Sequence, residues 1–322
     1  MWTLVWVMLL GATAAGSSDS VATAGAGPMI ARDSLPETIE LVSTVAGSKS
    51  GPGQLLEPAG ISVDAFGRLF VSDASLHRIQ RYDAHGARLG ETGGLGSDRG
   101  QLRRPGALAT LGTLSIAVLD DENRRVLSYD LFGRLNGTLI DFEDPALQDA
   151  VGRIDPVGLA SDRGGALYVP DAERDRIVVF DFSGRYARTV GGYGVRPGSF
   201  HGLAGVAVGR RGELVTVERA QARVQRLDAS GRVLATWPIA VKRGPGRIAV
   251  AVQDTGRVAV ADEQTGKLWV FDLAGVLRSE LSGLARPRAL AFAPDGTLLV
   301  VESGAGRITR FALAPRDGRR EP

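Results

Sequence analysis

The chain has no cysteine, which removes disulfide frameworks, thiolate metal sites and cysteine nucleophiles together. Histidine is nearly as scarce. His77, His85 and His201 are the three present, and without a His-x-His or His-Glu-x-x-His spacing they give no basis for a catalytic zinc held by histidines. Lysine occurs only at Lys49, Lys242 and Lys267, so nearly all the positive charge is guanidinium. With 38 basic against 36 acidic residues, no strong positive field is available to hold nucleic acid by counterion release. No segment carries helix-length hydrophobic periodicity. The apolar run from Trp2 to Leu10 is shorter than the roughly 20 residues that a membrane-crossing helix needs.

That run is followed by Ala12-Thr13-Ala14, a small-residue cleavage pattern, so residues 1–15 are expected to be an export signal and the protein to be secreted or periplasmic. Removal of the signal leaves no membrane span. Residues 16–36, rich in Ser, Ala, Thr and Gly at their start, are expected to be a flexible linker. Hydrophobic residues form 44% of the chain, enough for a buried core.

Self-similarity organises what remains. Six copies of one pattern begin at Pro58, Pro105, Pro156, Leu203, Arg247 and Pro287. Nine residues on, five of the six have glycine, at Gly67, Gly165, Gly212, Gly256 and Gly296, with Leu114 as the exception. Fifteen residues on, every copy has an acid (Asp73, Asp120, Asp171, Glu218, Asp262, Glu302), and twenty on, every copy has a base (Arg78, Arg125, Arg176, Arg223, Lys267, Arg307). At offset 24 stand Tyr82, Tyr129, Phe180, Leu227, Phe271 and Phe311, and at offset 25 five copies carry Asp83, Asp130, Asp181, Asp228 and Asp272. Each copy divides into short β-branched and apolar segments separated by Gly and Asp turn signals, which predicts four strands per copy. Four-stranded sheets repeating at this spacing predict an all-β, six-bladed β-propeller of antiparallel blades, in which radial stacking buries both faces of each sheet.

Gly51-Pro-Gly-Gln-Leu55 ahead of Pro58-Ala-Gly-Ile61, then Leu69-Phe-Val-Ser-Asp73, His77-Arg-Ile-Gln80 and Tyr82-Asp83, resemble the NHL repeat. The resemblance runs from about Ile39 to Phe311. It implies a six-bladed propeller over residues 37–314, a fold that hosts enzymes, RNA binders and scaffolds alike. The last copy stops after its third strand, while Thr38 to Thr44 forms an orphan strand, so this N-terminal segment is expected to supply the outer strand of the sixth blade and close the ring. Residues 315–322 are expected to be a disordered tail.

The paired acids and bases are expected to be structural, each pair clamping the link between a blade's second and third strands. Functional candidates lie where the copies differ. Immediately before the origins stand Glu57, Arg104, Asp155, Gly202, Gly246 and Arg286, and His201 lies beside the fourth origin. Glu57, Arg104, Asp155, His201 and Arg286 are therefore the expected binding residues, on the face that carries the blade-to-blade loops. No catalytic constellation is evident and no cofactor is expected. The leading expectation is a non-catalytic binding or scaffold protein for a protein or small-molecule ligand, acting as a monomer or as a subunit of an envelope complex, with nucleic acid not expected as a partner. The alternative is a secreted metal-dependent hydrolase or lyase holding Ca or Zn at the channel mouth through Glu57, Asp155 and His201. RNA binding, as in some cytoplasmic NHL proteins, is a third possibility.

Overall fold

The computed structural model describes residues 35–47, 51, 53–242 and 244–316. The expected export signal, all of the expected linker but its last two residues, and the tail beyond Arg316 lie outside the described residues.

Strand β1 (Glu37–Ala46) precedes the first blade, which is built from β2 (Pro58–Val63), β3 (Leu69–Asp73), β4 (Arg78–Tyr82) and β5 (Arg88–Gly93). Blade 2 follows with β6 (Pro105–Leu111), β7 (Ser115–Asp120), β8 (Arg125–Asp130) and β9 (Leu135–Asp141). A short helix, α1 (Pro145–Val151), leads to blade 3, made of β10 (Ala160–Ser161), β11 (Leu167–Asp171), β12 (Arg176–Phe180) and β13 (Tyr186–Gly191). Blade 4 comprises β14 (Leu203–Val208), β15 (Leu214–Glu218), β16 (Arg223–Leu227) and β17 (Val233–Pro238), and blade 5 comprises β18 (Ile248–Val252), β19 (Arg257–Asp262), β20 (Lys267–Asp272) and β21 (Leu277–Leu281). Blade 6 has only three strands of its own, β22 (Pro287–Phe292), β23 (Leu298–Glu302) and β24 (Arg307–Pro315). Its fourth is β1, which pairs antiparallel with β24 from Glu37↔Pro315 to Ala46↔Ile308. The protein is thus a six-bladed β-propeller closed by its N-terminal strand, as the repeat arithmetic predicts. Pro315 lies inside the last strand and not in a tail, because Glu37 opposite extends the ladder that far.

The second strand of each blade is buried on both faces. Leu69, Phe70 and Val71 are at most 1% exposed, and so are Leu298, Leu299 and Val300. Six apolar clusters fill the spaces between neighbouring blades. Ile79 and Phe70 of blade 1 meet Val118 and Leu127 of blade 2, and the interface that closes the ring, between blades 6 and 1, packs Val45 and Ala46 of β1 with Leu55, Ile61, Val71, Leu299 and Ile308. Each fully buried Val, Leu or Ile contributes about 1.5–3 kcal/mol.

Two local features depart from the repeat. Asp144 caps α1 by accepting the Ala146 N–H at 2.9 Å, with Pro145 in the first turn where its missing N–H costs nothing. At seven residues, α1 is too short for a periodic signal. In blade 3 the inner strand is only two residues long, Ala160–Ser161. Opposite it β11 carries Pro170, which has no N–H for the ladder.

The turns between the third and fourth strands of blades 1 to 5 behave as their sequence implies. Asp83, Asp130, Asp181, Asp228 and Asp272 each accept the N–H groups two and four residues on, at 2.8–3.0 Å.

Candidate functional site

All six acids at the end of the second strands are completely buried. Four meet the base five residues on. Arg125 reaches Asp120 at 2.9 Å, Arg176 reaches Asp171 at 2.8 Å, Arg223 reaches Glu218 at 2.7 Å and Arg307 reaches Glu302 at 2.8 Å. Two expected pairs, Asp73–Arg78 and Asp262–Lys267, are corrected by the structure. Asp73 is occupied by the backbone N–H groups of Leu56, Glu57 and Leu76 at 2.7–3.1 Å, and Arg78 turns to Glu91 at 2.8 Å. Asp262 takes Arg219 of blade 4 at 3.2 Å, and Lys267 turns to Glu280 at 3.3 Å.

The role common to all six acids is a different one. Each accepts a backbone N–H from the loop entering its blade: Leu56, Arg103, Asp155, His201, Lys242 and Ala285, at 2.7–3.4 Å. The carboxylates therefore fasten the blade-to-blade loops to the sheets. The residue before each base is left-handed in every copy, at His77, Arg124, Asp175, Ala222, Gly266 and Gly306, with φ between 48° and 63°.

On the loops so fastened stands a charged cluster drawn from blades 1, 2, 5 and 6. Glu57 is its centre. The carboxylate accepts Arg104 Nη2 at 3.0 and 3.1 Å, Arg288 Nη1 at 2.8 Å and Ser75 Oγ at 2.8 Å. Burial alone raises its pKa, but the bonds from Ser75, Arg288 and Arg104 outweigh burial and hold it at about 2. Arg288 also approaches Glu263 at 3.9 Å, and Arg286 binds Glu263 at 2.7 Å. Arg247 extends from blade 5 to the Val157 carbonyl of blade 3 at 3.2 Å and to Asp121 of blade 2 at 3.5 Å, crossing the axis.

Asp121 differs from the other carboxylates. Burial pushes its pKa up to about 6 despite the opposing charges of Arg247, Arg288 and Arg104, with neighbouring Asp120 adding to the rise. A proton is therefore bound more tightly in the folded chain than in the unfolded one, where the ordinary value is 3.8. The cost to folding is absent below pH 4, develops as pH rises between 4 and 6, and is complete above 6. Asp121→Asn should accordingly be more stable than the parent by about 1–2 kcal/mol at pH 8 and no different at pH 3.5. Paired thermal melts across this range read the difference, and a gap that grows toward low pH would contradict the assignment.

Backbone conformation marks the same loops. Immediately before the fourth and fifth origins, Gly202 and Gly246 have φ of 73° and 123°. Arg104 and Arg286 occupy the equivalent positions with φ of 51° and 54°, where a side chain costs about 1–2 kcal/mol. Arg286 keeps 65% of its side chain exposed.

Beneath this cluster the axial channel narrows to a cavity of ≈ 100 Å³, lined by small and apolar residues of the inner strands, such as Ala59, Gly60, Ala107, Gly158 and Ala249, with Arg247 and Arg288 among its lining. A second, wider hollow of ≈ 970 Å³ opens at the opposite end, among the turns between first and second strands. Every carboxylate on it is engaged: Asp64 with Arg68, Asp162 with Tyr168, Asp254 with Arg163 and Asp295 with Thr297 and Arg310.

Of the residues singled out from sequence, Glu57 and Arg104 touch, and Arg286 joins them through Glu263 and Arg288. Asp155 and His201 do not join the cluster. Asp155 is exposed, and the His201 ring lies against Tyr193, at 5.3 Å between centroids, with its Nδ1 3.2 Å from Gln221. The proposed ligand set of Glu57, Asp155 and His201 is thus spread over blades 1, 3 and 4, and among the described residues no three His, Asp or Glu converge on one point. Variation before the origins does not single out Asp121, Glu263 or Arg247. For Asp121 and Glu263 the signal lies in the register: the position after the recurring acid reads Ala74, Asp121, Ala172, Arg219, Glu263 and Ser303, so charge interrupts a series of small residues.

No family model matches the chain. Among curated proteins, the protein brain tumor of Drosophila melanogaster is 26% identical over 141 residues, which is 43% of this chain and 13% of that protein. Among solved structures, a streptogramin B lyase superposes with a TM-score of 0.60 at 13% identity, covering 86% of this chain and 98% of the other. A catalytically inactive virginiamycin B lyase from Staphylococcus aureus with quinupristin gives 0.55 at 16% identity, covering 88% and 90%. The WD40 β-propeller domain of Doa1 gives 0.57 at 11% identity, covering 85% and 97%. At these identities the likeness is one of fold.

Proposed function

We propose that the protein is an exported, NHL-type propeller that acts as a non-catalytic binding or scaffold protein, taking its ligand on the face that carries the blade-to-blade loops. One observation carries this reading. The mouth on that face is charged, unlike from blade to blade, and built partly on strained arginines, whereas the acids that fasten the entering loops and the apolar cores between blades recur in every copy. Strain retained at irregular positions is a mark of binding sites. Glu57 and Glu263 at the mouth are each bonded by arginine, at 3.0 and 2.7 Å, and Asp121 faces Arg247 at 3.5 Å, which suits recognition better than general-base or metal chemistry. The NHL assignment is supported by the recurring Pro, Gly, acid and base positions. A fold shared with lyases keeps the enzyme reading as the competing outcome.

A photocrosslinking residue at Leu56, 50% exposed beside the charged mouth, should trap a partner from an envelope extract. The adduct should disappear in the Arg104→Gln/Arg286→Gln variant, and the same probe at Leu114, 74% exposed on the opposite face, should not respond to those substitutions. Adducts from Leu114 alone, or adducts from Leu56 indifferent to the arginines, would move the site elsewhere. Stoichiometric Ca or Zn in the purified protein, lost on replacing Glu57, Asp155 or His201, would favour the metal-dependent hydrolase or lyase.

A further inference from the structure

Two buried polar atoms at the channel mouth have no hydrogen-bond partner: Asp121 Oδ1, an acceptor, and Arg288 Nε, a donor. They belong to side chains near enough for the Arg288 charge to act on the Asp121 carboxyl; Arg288 lines the axial cavity, and Asp121 faces Arg247, which lines it too. A buried donor or acceptor left unpaired costs about 1–3 kcal/mol, so two at one mouth call for an occupant. Such an occupant must present a donor to Asp121 and an acceptor to Arg288, and it must fit the hollow below. The other hollow has no such demand, since each of its carboxylates is bonded within the protein.

The backbone under Asp121 is shaped for this. A Cβ on Gly106 would come within 2.6 Å of Asp121 Oδ2, so glycine is what lets the carboxylate lie inward over the inner strand. Asp121 also lacks a close partner for its other oxygen, since Arg247 stands 3.5 Å away, longer than a charge-assisted hydrogen bond. The cavity of ≈ 100 Å³ is walled by Ala, Gly, Ile, Leu and Val. A dry apolar cavity of about 150 Å³ holds benzene, which scales to about four carbons here.

From this geometry, and resting on the reading of the loop face as the binding face, we propose that the mouth binds a free α-amino acid with a short aliphatic side chain. The ammonium bonds Asp121, the carboxylate bonds Arg288 and Arg247, and a side chain of valine or leucine size enters the channel. Glu57 holds Arg288 through Nη1 at 2.8 Å, which leaves Nε for the ligand.

Titration calorimetry of the exported form at pH 7.5 with L-leucine and L-valine tests this. Saturable binding below 1 mM is expected, weakened at least tenfold for N-acetyl-L-leucine, which lacks the ammonium, and for L-leucinamide, which lacks the carboxylate. Asp121→Asn should lose at least tenfold in affinity while melting no lower than the parent, so that a folding defect does not account for the loss. No saturable binding of leucine or valine up to 10 mM, or equal binding of the blocked compounds, overturns the proposal and leaves the mouth to ordered water. Crosslinking through Leu56 persists in that case if the loop face still serves another ligand, and is lost as well if the binding reading itself is wrong.

Discussion

Deletion of residues 37–46 is expected to yield protein that is insoluble or that melts about 10–20 °C below the parent. Those residues are β1, the sole neighbour of β24 on its outer side. The strand contributes a ladder from Glu37 to Ala46, the buried Val45 and Ala46 of the interface between blades 6 and 1, and a carboxylate at Glu37 that takes Arg257 through two bonds of 3.0 and 3.1 Å. Two buried apolar side chains and a lost bidentate ion pair amount to about 5 kcal/mol, and each kcal/mol is worth about 2–4 °C for a domain of this size. Without β1, the full length of β24 also becomes an open edge, a template for pairing between chains. Differential scanning calorimetry reads the shift, and a melting temperature within 3 °C of the parent would mean that the ring does not depend on this strand.

Glu218→Ala should lower the melting temperature by about 10 °C. The carboxylate is fully buried and holds four donors: Arg223 Nε at 2.7 Å and Nη2 at 3.0 Å, Gln225 Nε2 at 2.7 Å and the His201 N–H at 2.9 Å. Its removal leaves a buried guanidinium without a counter-charge, which costs about 3–5 kcal/mol, and unfastens the loop into blade 4. Glu218→Gln keeps the shape and one acceptor, so it should fall between the parent and the alanine variant. The comparison is made by thermal melting at pH 7, and a loss below 3 °C for Glu218→Ala would show that the repeated acid is incidental to stability.

The architecture was legible because it is written in register. Six acids and six bases in phase fixed the number of blades, and the unpaired Thr38–Thr44 segment had no other place to pair. What escaped was set by partners distant in sequence or by backbone geometry. Asp73 and Asp262 keep the repeat's acid but turn it to loop N–H groups and to an arginine from the preceding blade, so identity at offset 15 does not determine the ion pair. The shortened β10 follows from a proline on the facing strand.

The candidate site was legible only in part. Variation before each origin pointed to Glu57, Arg104 and Arg286, which do meet, but it pointed equally to Asp155 and His201, which do not. A repeat indicates which positions share a face, but side-chain length and direction decide which of them touch. Arg247 reaches across the axis to blade 2 because guanidinium is long and the inner strands are small, and nothing local in the sequence around residue 247 encodes that reach.

Residues that hold the ring are distinct from those proposed to face a ligand, and the Arg104→Gly/Arg286→Gly variant tests that separation most directly. Glycine already fills the same left-handed position at Gly202 and Gly246. Relief of about 1–2 kcal/mol of backbone strain per site should offset the loss of partly exposed ion pairs worth about 0–1 kcal/mol each and the added freedom of glycine in the unfolded chain, about 0.5–1 kcal/mol. The predicted melting temperature is therefore within about 2 °C of the parent, or above it. A fall of 6 °C or more would place these arginines among the parts that hold the ring, and would contradict the claim that the charged mouth exists to bind.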